Sequence, residues 1–261
     1  MTTPTALRVY EHQALVYRRT FRGSLISSFL NPILYLAAMG IGLGTYVDRN
    51  GAGGAAALGG LSYLVFIAPG LLAATAMQAA AGESTWVVMG AIKWDRTYDA
   101  MLATPIRVRD LVVGHLAWVT TRLLMVCAVF LLVMGAFGAA VWPSAILAIP
   151  AGVLTGLAFA APITAFSATM DNDAGFNALF RFGIVPLFLF SGTFFPVSQL
   201  PELLRPLAYA TPLYHGVELC RELALGRVDV TSVLVHVGYL VALAAVGTWL
   251  AARAYQRRLA K

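Results

Sequence analysis

Residues 188–226 read FLFSGTFFPVSQLPELLRPLAYATPLYHGVELCRELALG, and an apolar run from Thr231 to Ala252 follows at once. The opening closes an earlier apolar run. The rest is amphipathic, proline-punctuated and charged, yet rich in Leu, Ala and Tyr. Such a segment between two apolar runs is neither a plain loop nor a full span. It reads as short helices lying at, or dipping into, a membrane surface. Pro201 and Pro212 each stand where a helix can begin, since proline lacks the N–H that a first turn leaves unpaired. Ser198 and Thr211 precede them as candidate caps.

Composition agrees. The chain has 261 residues, 59% hydrophobic and 11% charged, with a formal net charge of +6. Soluble domains carry about 25% charged residues, so the deficit argues for a surface covered by lipid. The cations flank apolar runs instead of forming one patch, which favours a membrane over nucleic acid. Cys127, in an apolar run, and Cys220, in the quoted stretch, show no metal or redox spacing and read as small apolar residues. Residues 1–20 carry Arg8, Glu11, Arg18 and Arg19 and no continuous apolar core, unlike a signal peptide.

Along the chain, Leu7, Tyr10, Ala14, Tyr17 and Phe21 recur at helical spacing. This predicts a basic, aromatic interfacial helix within residues 1–24. Six spans follow. The first is about Leu25–Tyr46, with Asn31-Pro32 expected to kink it. The second is about Leu61–Ala81, around Pro69-Gly70. The others are about Leu111–Phe137, Ser144–Thr169, Phe176–Phe195 and Thr231–Ala252, each near the roughly 20 residues a bilayer requires. Residues 47–60 form a glycine-rich connector. No Gly-Lys-Ser/Thr follows it, so it is not a phosphate-binding loop. Residues 82–110 are polar, and residues 196–230 hold the amphipathic helices.

The fold class expected is therefore an all-α integral membrane protein with six transmembrane helices and both termini on one side. Arg8, Arg18, Arg19, Arg22, Lys93, Arg96, Arg107, Arg109, Arg253, Arg257, Arg258 and Lys261 fall on that side. Arg49, Arg205, Arg221 and Arg227 fall on the other. Twelve cations against four place the termini and residues 82–110 in the cytoplasm of an inner or plasma membrane.

Enzyme motifs are missing: no HExxH, Walker, GxSxG or metal-spaced Cys/His set. Asp171-Asn172-Asp173-Ala174-Gly175 lacks the length and closing glutamate of a calcium loop and reads as a solvated turn. His215 and Glu218 are too few for a metal and read as an interfacial hydrogen-bonded pair. His115 and His236 have no acidic sequence neighbours and receive no role. Arg122 falls within the third span, with no mid-span acid to pair with. It either contributes to a translocation path or subunit contact, or snorkels to the interface. Arg181 is expected to snorkel. Tyr35, Phe66, Phe130, Phe159 and Phe166 either line a path or face lipid.

Within residues 92–105, Trp94, Tyr98, Met101 and Leu102 form a stripe surrounded by Lys93, Asp95, Arg96 and Asp99, ended by Thr104-Pro105. A short helix with an exposed aromatic stripe suits a groove on a partner protein or, equally, a lipid surface. Here a resemblance enters. Residues Arg96 to Pro105, RTYDAMLATP, resemble the coupling-helix motif of type-2 ABC exporter permeases. The residues Ser191-Gly192-Thr193-Phe194-Phe195-Pro196, Leu200-Pro201, Thr211-Pro212-Leu213-Tyr214-His215, Glu218 and Arg221 resemble the C-terminal signature of the same family. The branch indicated is that of nodulation-factor and daunorubicin-resistance exporters.

The resemblance covers nearly the whole chain. It implies a permease that dimerises, most simply with a second copy, and binds two cytoplasmic ABC ATPase subunits. This chain would bind no cofactor; ATP and magnesium would sit on the partner. Trp94, Arg96, Tyr98, Asp99, Met101, Leu102, Thr104 and Pro105 would form the ATPase-coupling element. Ser191, Gly192, Phe195, Pro196, Pro212, Tyr214, His215, Glu218 and Arg221 would form the external gate. The substrate would be a lipo-oligosaccharide, glycolipid or amphipathic drug. The alternative class is an ATP-independent carrier or membrane-embedded lipid-modifying enzyme. It calls for mid-span acids or a convergent catalytic set, and the sequence displays neither.

Overall fold

The computed structural model describes residues 5–49 and 58–259. Most of the glycine-rich connector lies outside the described residues, as do Lys261 and the side chains of Arg22, Asn31 and Arg49. All regular elements among the described residues are helical. In chain order the α-helices are α1 (Thr5–Tyr35), α2 (Gly44–Arg49), α3 (Tyr63–Ser84), α4 (Trp86–Met89), α5 (Thr97–Leu102) and α6 (Val108–Ala136). They continue with α7 (Ala148–Thr169), α8 (Ala174–Ala178), α9 (Val185–Phe190), α10 (Arg205–Tyr209), α11 (Pro212–Ala224) and α12 (Val230–Leu259). Wider π-helical turns at Leu36–Leu43, Gly90–Trp94 and Leu179–Ile184 join α1 to α2, extend α4, and join α8 to α9.

Four continuous helical stretches are long and apolar enough to cross a membrane: Tyr63–Trp94, Val108–Ala136, Ser144–Thr169 and Val230–Leu259, of 32, 29, 26 and 30 residues. At about 1.5 Å per residue each exceeds the roughly 30 Å hydrocarbon core. Pro32–Asp48 and Ala174–Phe190 are apolar but shorter, and lie where the first and fifth spans are expected. The fifth stretch ends at Phe190 instead of Phe195; from Ser191 the chain bends, and Gly192 takes φ +82°, a value that favours glycine.

α3 sits at the centre. Its apolar stretch is 72% buried, against 17% for that of α12, most of whose flank is left uncovered by the rest of the chain. α3 packs on α6, α7 and α11, while α12 packs mainly on α7. Alanines supply much of α3's buried surface, including Ala73, Ala74, Ala76, Ala80 and Ala81. Small residues let helices approach closely where lipid removes the hydrophobic incentive to associate. A Cβ placed on Gly247 of α12 would lie 2.5 Å from Pro162 Cδ of α7. Phe66, Phe130 and Phe159 are buried inside this core. They therefore neither line a path nor face lipid; apolar packing within the chain claims them first.

Several expectations change. The amphipathic N-terminal stretch does not form a helix of its own but runs on within α1. It stands beside α6, in the same direction. Thr5 donates to Asp110 at 2.5 Å, Tyr10 and Tyr17 meet the Trp118 ring edge-on and tilted, and Gly114 is so close to α1 that a Cβ there would lie 2.6 Å from Val9 Cβ. The middle of the stripe is thus packed on α6, whereas Leu7 and Phe21 at its ends are exposed. Helix also persists to Trp94 on one side of the polar segment and resumes at Val108 on the other, so little true loop remains.

In the stretch that opened the sequence analysis, Thr211 does cap α11, accepting from the Tyr214 N–H at 3.3 Å, with Pro212 as the first helical residue. Ser198 and Pro201 start no helix. Ser198 lies inside a 3-10 turn, Val197–Gln199, and Leu200 is extended, as a residue before proline tends to be; the next helix begins at Arg205. Nor does α11 rest on a surface. Leu213, Gly216, Val217, Leu219, Cys220 and Ala224 are buried against α3 and α7.

Candidate functional site

Two polar junctions occupy opposite ends of the bundle. The first is built by α11, the Ser191–Pro196 loop and the first half of α3. Arg221 is buried and points three ways. Its Nη1 donates to Glu218 Oε1 at 2.5 Å, its Nη2 to the Gly192 carbonyl at 2.8 Å, and its Nε to the Phe66 carbonyl at 3.3 Å. Its guanidinium also lies 4.1 Å from the centre of the Phe66 ring. A planar five-donor group suits this arrangement; an ammonium does not. A carbonyl oxygen has two lone pairs, so the Phe66 carbonyl can accept from Arg221 while it stays within the helix. Gly70 in turn lets the loop approach, since a Cβ there would lie 3.1 Å from the Thr193 carbonyl oxygen. Ser191 Oγ and Thr211 Oγ1 meet at 3.0 Å and close the loop against the start of α11.

The expected His215–Glu218 pair does not form, because Arg221 claims the carboxylate. His215 instead meets His236 of α12, Nδ1 to Nδ1 at 2.8 Å, and stacks on Tyr239 with centroids 4.0 Å apart. Tyr239 donates its hydroxyl to the Ala210 carbonyl at 2.6 Å. Burial, and then the neighbouring His236, lower the His215 pKa. Burial pushes the Tyr214 hydroxyl up to about 12. Phe195 and Pro196 lie half-buried beside this cluster, with Phe195 packed on the small apolar group of Val197, Leu200 and Ala208.

The second junction holds the residues of the polar segment. Tyr98 is buried and stacks at 5.7 Å on Tyr255 of α12. The expected exposed stripe is therefore split. Tyr98 anchors α5 inward and Met101 and Leu102 are half-buried around it, whereas Trp94, 63% exposed, stands alone on the π turn. Burial pushes the Tyr98 hydroxyl up to about 12. Arg96 links the two with a left-handed backbone, φ 49°, an uncommon state for a residue with a Cβ. Thr104 closes α5 by donating to the Met101 carbonyl at 2.6 Å, and Pro105 prevents its extension.

The Asp171 turn proves structural. Arg258 donates to Asp171 Oδ1 at 2.6 Å and Lys93 to the Asp171 carbonyl at 2.5 Å. The Arg258 hydrogen bond and charge, then the Lys93 charge, hold the Asp171 carboxyl below its ordinary value. Together these groups rim a cleft of about 600 Å³ beside Trp94, Arg96 and Asp99, open to solvent at the end of the bundle.

Arg122 has an acidic partner after all. Its Nε donates to Glu83 Oε1 at 3.0 Å and its guanidinium lies 4.3 Å from the Tyr17 ring centre. Glu83 is next to the last residue of α3, so the sequence distance between α3 and α6 hid the pair. Arg181 is exposed on the π turn between α8 and α9.

Most residues of both junctions, though not His236, Tyr239, Tyr255 and Arg258, fall within a stretch that a known family shares: the ABC-2 type transporter family matches residues 9–225. The chain belongs to that family. It is 34% identical over 256 residues to Nodulation protein J of Rhizobium leguminosarum bv. trifolii, covering 97% of this chain and 93% of the relative. Nodulation protein J of Sinorhizobium fredii is 31% identical, and that of Rhizobium meliloti strain 1021 is 30% identical, each over 97% of this chain and 93% of the relative. The chain is thus a multi-pass ABC-2 membrane permease, a transport subunit.

In this permease the C-terminal signature residues come together, but around Arg221 and not around the histidine. Two participants escaped sequence reading. His236 carries no local signal, because its partner lies on another helix. Glu83 sits two residues beyond the expected second span, inside the polar segment. Of the residues expected to form the coupling element, Trp94, Arg96, Asp99, Thr104 and Pro105 are exposed.

Proposed function

We propose that this chain is the membrane subunit of an ATP-driven exporter that moves an amphipathic or lipid-linked substrate outward. It crosses the membrane six times, with Pro32–Asp48 and Ala174–Phe190 as the two shorter crossings, and both termini are cytoplasmic. It works as a homodimer and binds two ABC ATPase subunits, which hold the ATP and magnesium. The observation that carries this reading is the seat of α5: Tyr98 is locked against Tyr255 while Trp94, Arg96 and Asp99 face an open cleft. A push on the exposed residues is delivered to α12 through a buried aromatic contact. Arg122 acts through its tie to Glu83 and α1, not by touching substrate. The Ser191–Pro196 loop and α11 form the outer gate, fastened by Arg221.

Co-purification with the cognate ATPase tests this. Trp94→Ala combined with Arg96→Glu reduces ATPase recovery several-fold while membrane insertion and thermal stability hold. ATPase recovery equal to that of the unmodified permease overturns the reading. Tyr98→Ala is a poorer probe, because emptying that site costs about 3–5 kcal/mol as well as any contact with a partner.

A further inference from the structure

A groove of about 570 Å³ opens between α7 and α12 at the end of the bundle that carries Asp171. The two helices run in the same direction and touch where Gly247 meets Pro162. Beyond that crossing, Phe166 and Thr169 form one wall and Leu250 and Ala254 the other, and Arg253, Arg257 and Arg258 ring the mouth. No acidic residue lines the groove. Its inner part is apolar, and its mouth is strongly cationic.

The three arginines differ in how they are held. Arg258 is fixed by Asp171, and Arg253 lies 3.8 Å over the Trp249 ring, at the depth where an exposed tryptophan marks a membrane interface. Arg257 is exposed and forms no ion pair among the described residues. Two cations are thus pre-positioned and a third is left with donors to spare. α12 is the least buried of the long helices, so this flank meets lipid directly.

We propose that the groove binds the phosphate headgroup of an anionic phospholipid, with one acyl chain lying along Phe166, Leu250 and Ala254. Basic pockets between helices at a membrane surface suit such headgroups, and each arginine near the surface contributes about 1 kcal/mol. An arginine fork also meets phosphate oxygens two at a time. The lipid braces α12 against α7 close to Tyr255, the residue that receives α5. The inference needs only that the chain spans a membrane, so it stands or falls separately from ATP-driven export.

The test is lipid retention by the full chain, read by native mass spectrometry in detergent with phosphatidylglycerol, phosphatidylcholine or inorganic phosphate added. The expected result is retention of phosphatidylglycerol alone. Arg253→Gln with Arg257→Gln weakens it about thirtyfold. Arg205→Gln with Arg227→Gln, an equal loss of charge at the opposite end, leaves it unchanged. Thr169→Trp, which fills the groove and keeps every charge, also weakens it, and so separates a built site from general attraction. Equal retention of phosphatidylcholine, full competition by inorganic phosphate, or undiminished retention in both groove variants each overturns the proposal.

Discussion

Arg221 shows how one side chain can define a junction. Removing it leaves the Gly192 and Phe66 carbonyls without their donor and the Glu218 carboxylate without its cation. Arg221→Leu is expected to lower stability by about 2–4 kcal/mol, read as a fall in melting temperature in detergent. Arg221→Lys recovers less than half of that, because one ammonium cannot serve three directions. Glu218→Gln costs less, since the carboxylate is partly exposed.

His215 supplies a pH dependence with a definite sign. Its folded-state pKa is lowered, so the folded state binds fewer protons than the unfolded state between that value and the ordinary His value of about 6.5. The contribution to stability is whole above pH of about 6.5 and is lost as the pH falls toward the lowered value. Amide protection factors across α11, corrected for the intrinsic pH dependence of exchange, are expected to fall on acidification from pH 7.5 toward pH 5, and His215→Phe to flatten that response.

At the scale of elements, the close helix pairs depend on missing side chains. Gly247→Val forces a branched group into Pro162 and Ala161 and is expected to cost about 1–3 kcal/mol, measured as thermal stability of the purified permease. The same scale explains what the sequence could and could not disclose. Ser144–Thr169 was legible to the residue, because its apolar run ends abruptly at polar Asp171-Asn172-Asp173. Thr211-Pro212 announced α11 because a cap and a first-turn proline are local signals. Tyr98 misled because amphipathic spacing shows which residues share a face, not what covers that face. α12 arrives from far along the chain to cover it. The same holds for Tyr10 and Tyr17, whose apolar stripe meets Trp118 instead of lipid.

Across the whole molecule, the distribution of charge bears on the proposed orientation. The end that carries Lys93, Arg96, Arg107, Arg253, Arg257 and Arg258 is the basic one, and the opposite end carries the loop with Arg205 and Arg227. The only cysteines, Cys127 and Cys220, are both buried, so introduced thiols report on side without background. Trp94→Cys is expected to react only from the cytoplasmic face, and Leu203→Cys, at an 88% exposed position, only from the outside. A membrane-impermeant maleimide applied to intact cells and to inverted vesicles distinguishes them; labelling of both from one face contradicts the proposed topology.

The three-way grip of Arg221 also bears on how this rim can move. The Gly192 turn cannot swing away as a separate flap, because the same guanidinium holds the wall of α3 at Phe66 and the body of α11. These parts travel as a single plate. The give has to come from the stretch between Leu200 and Arg205, where the backbone is extended, then turning, and only then helical again.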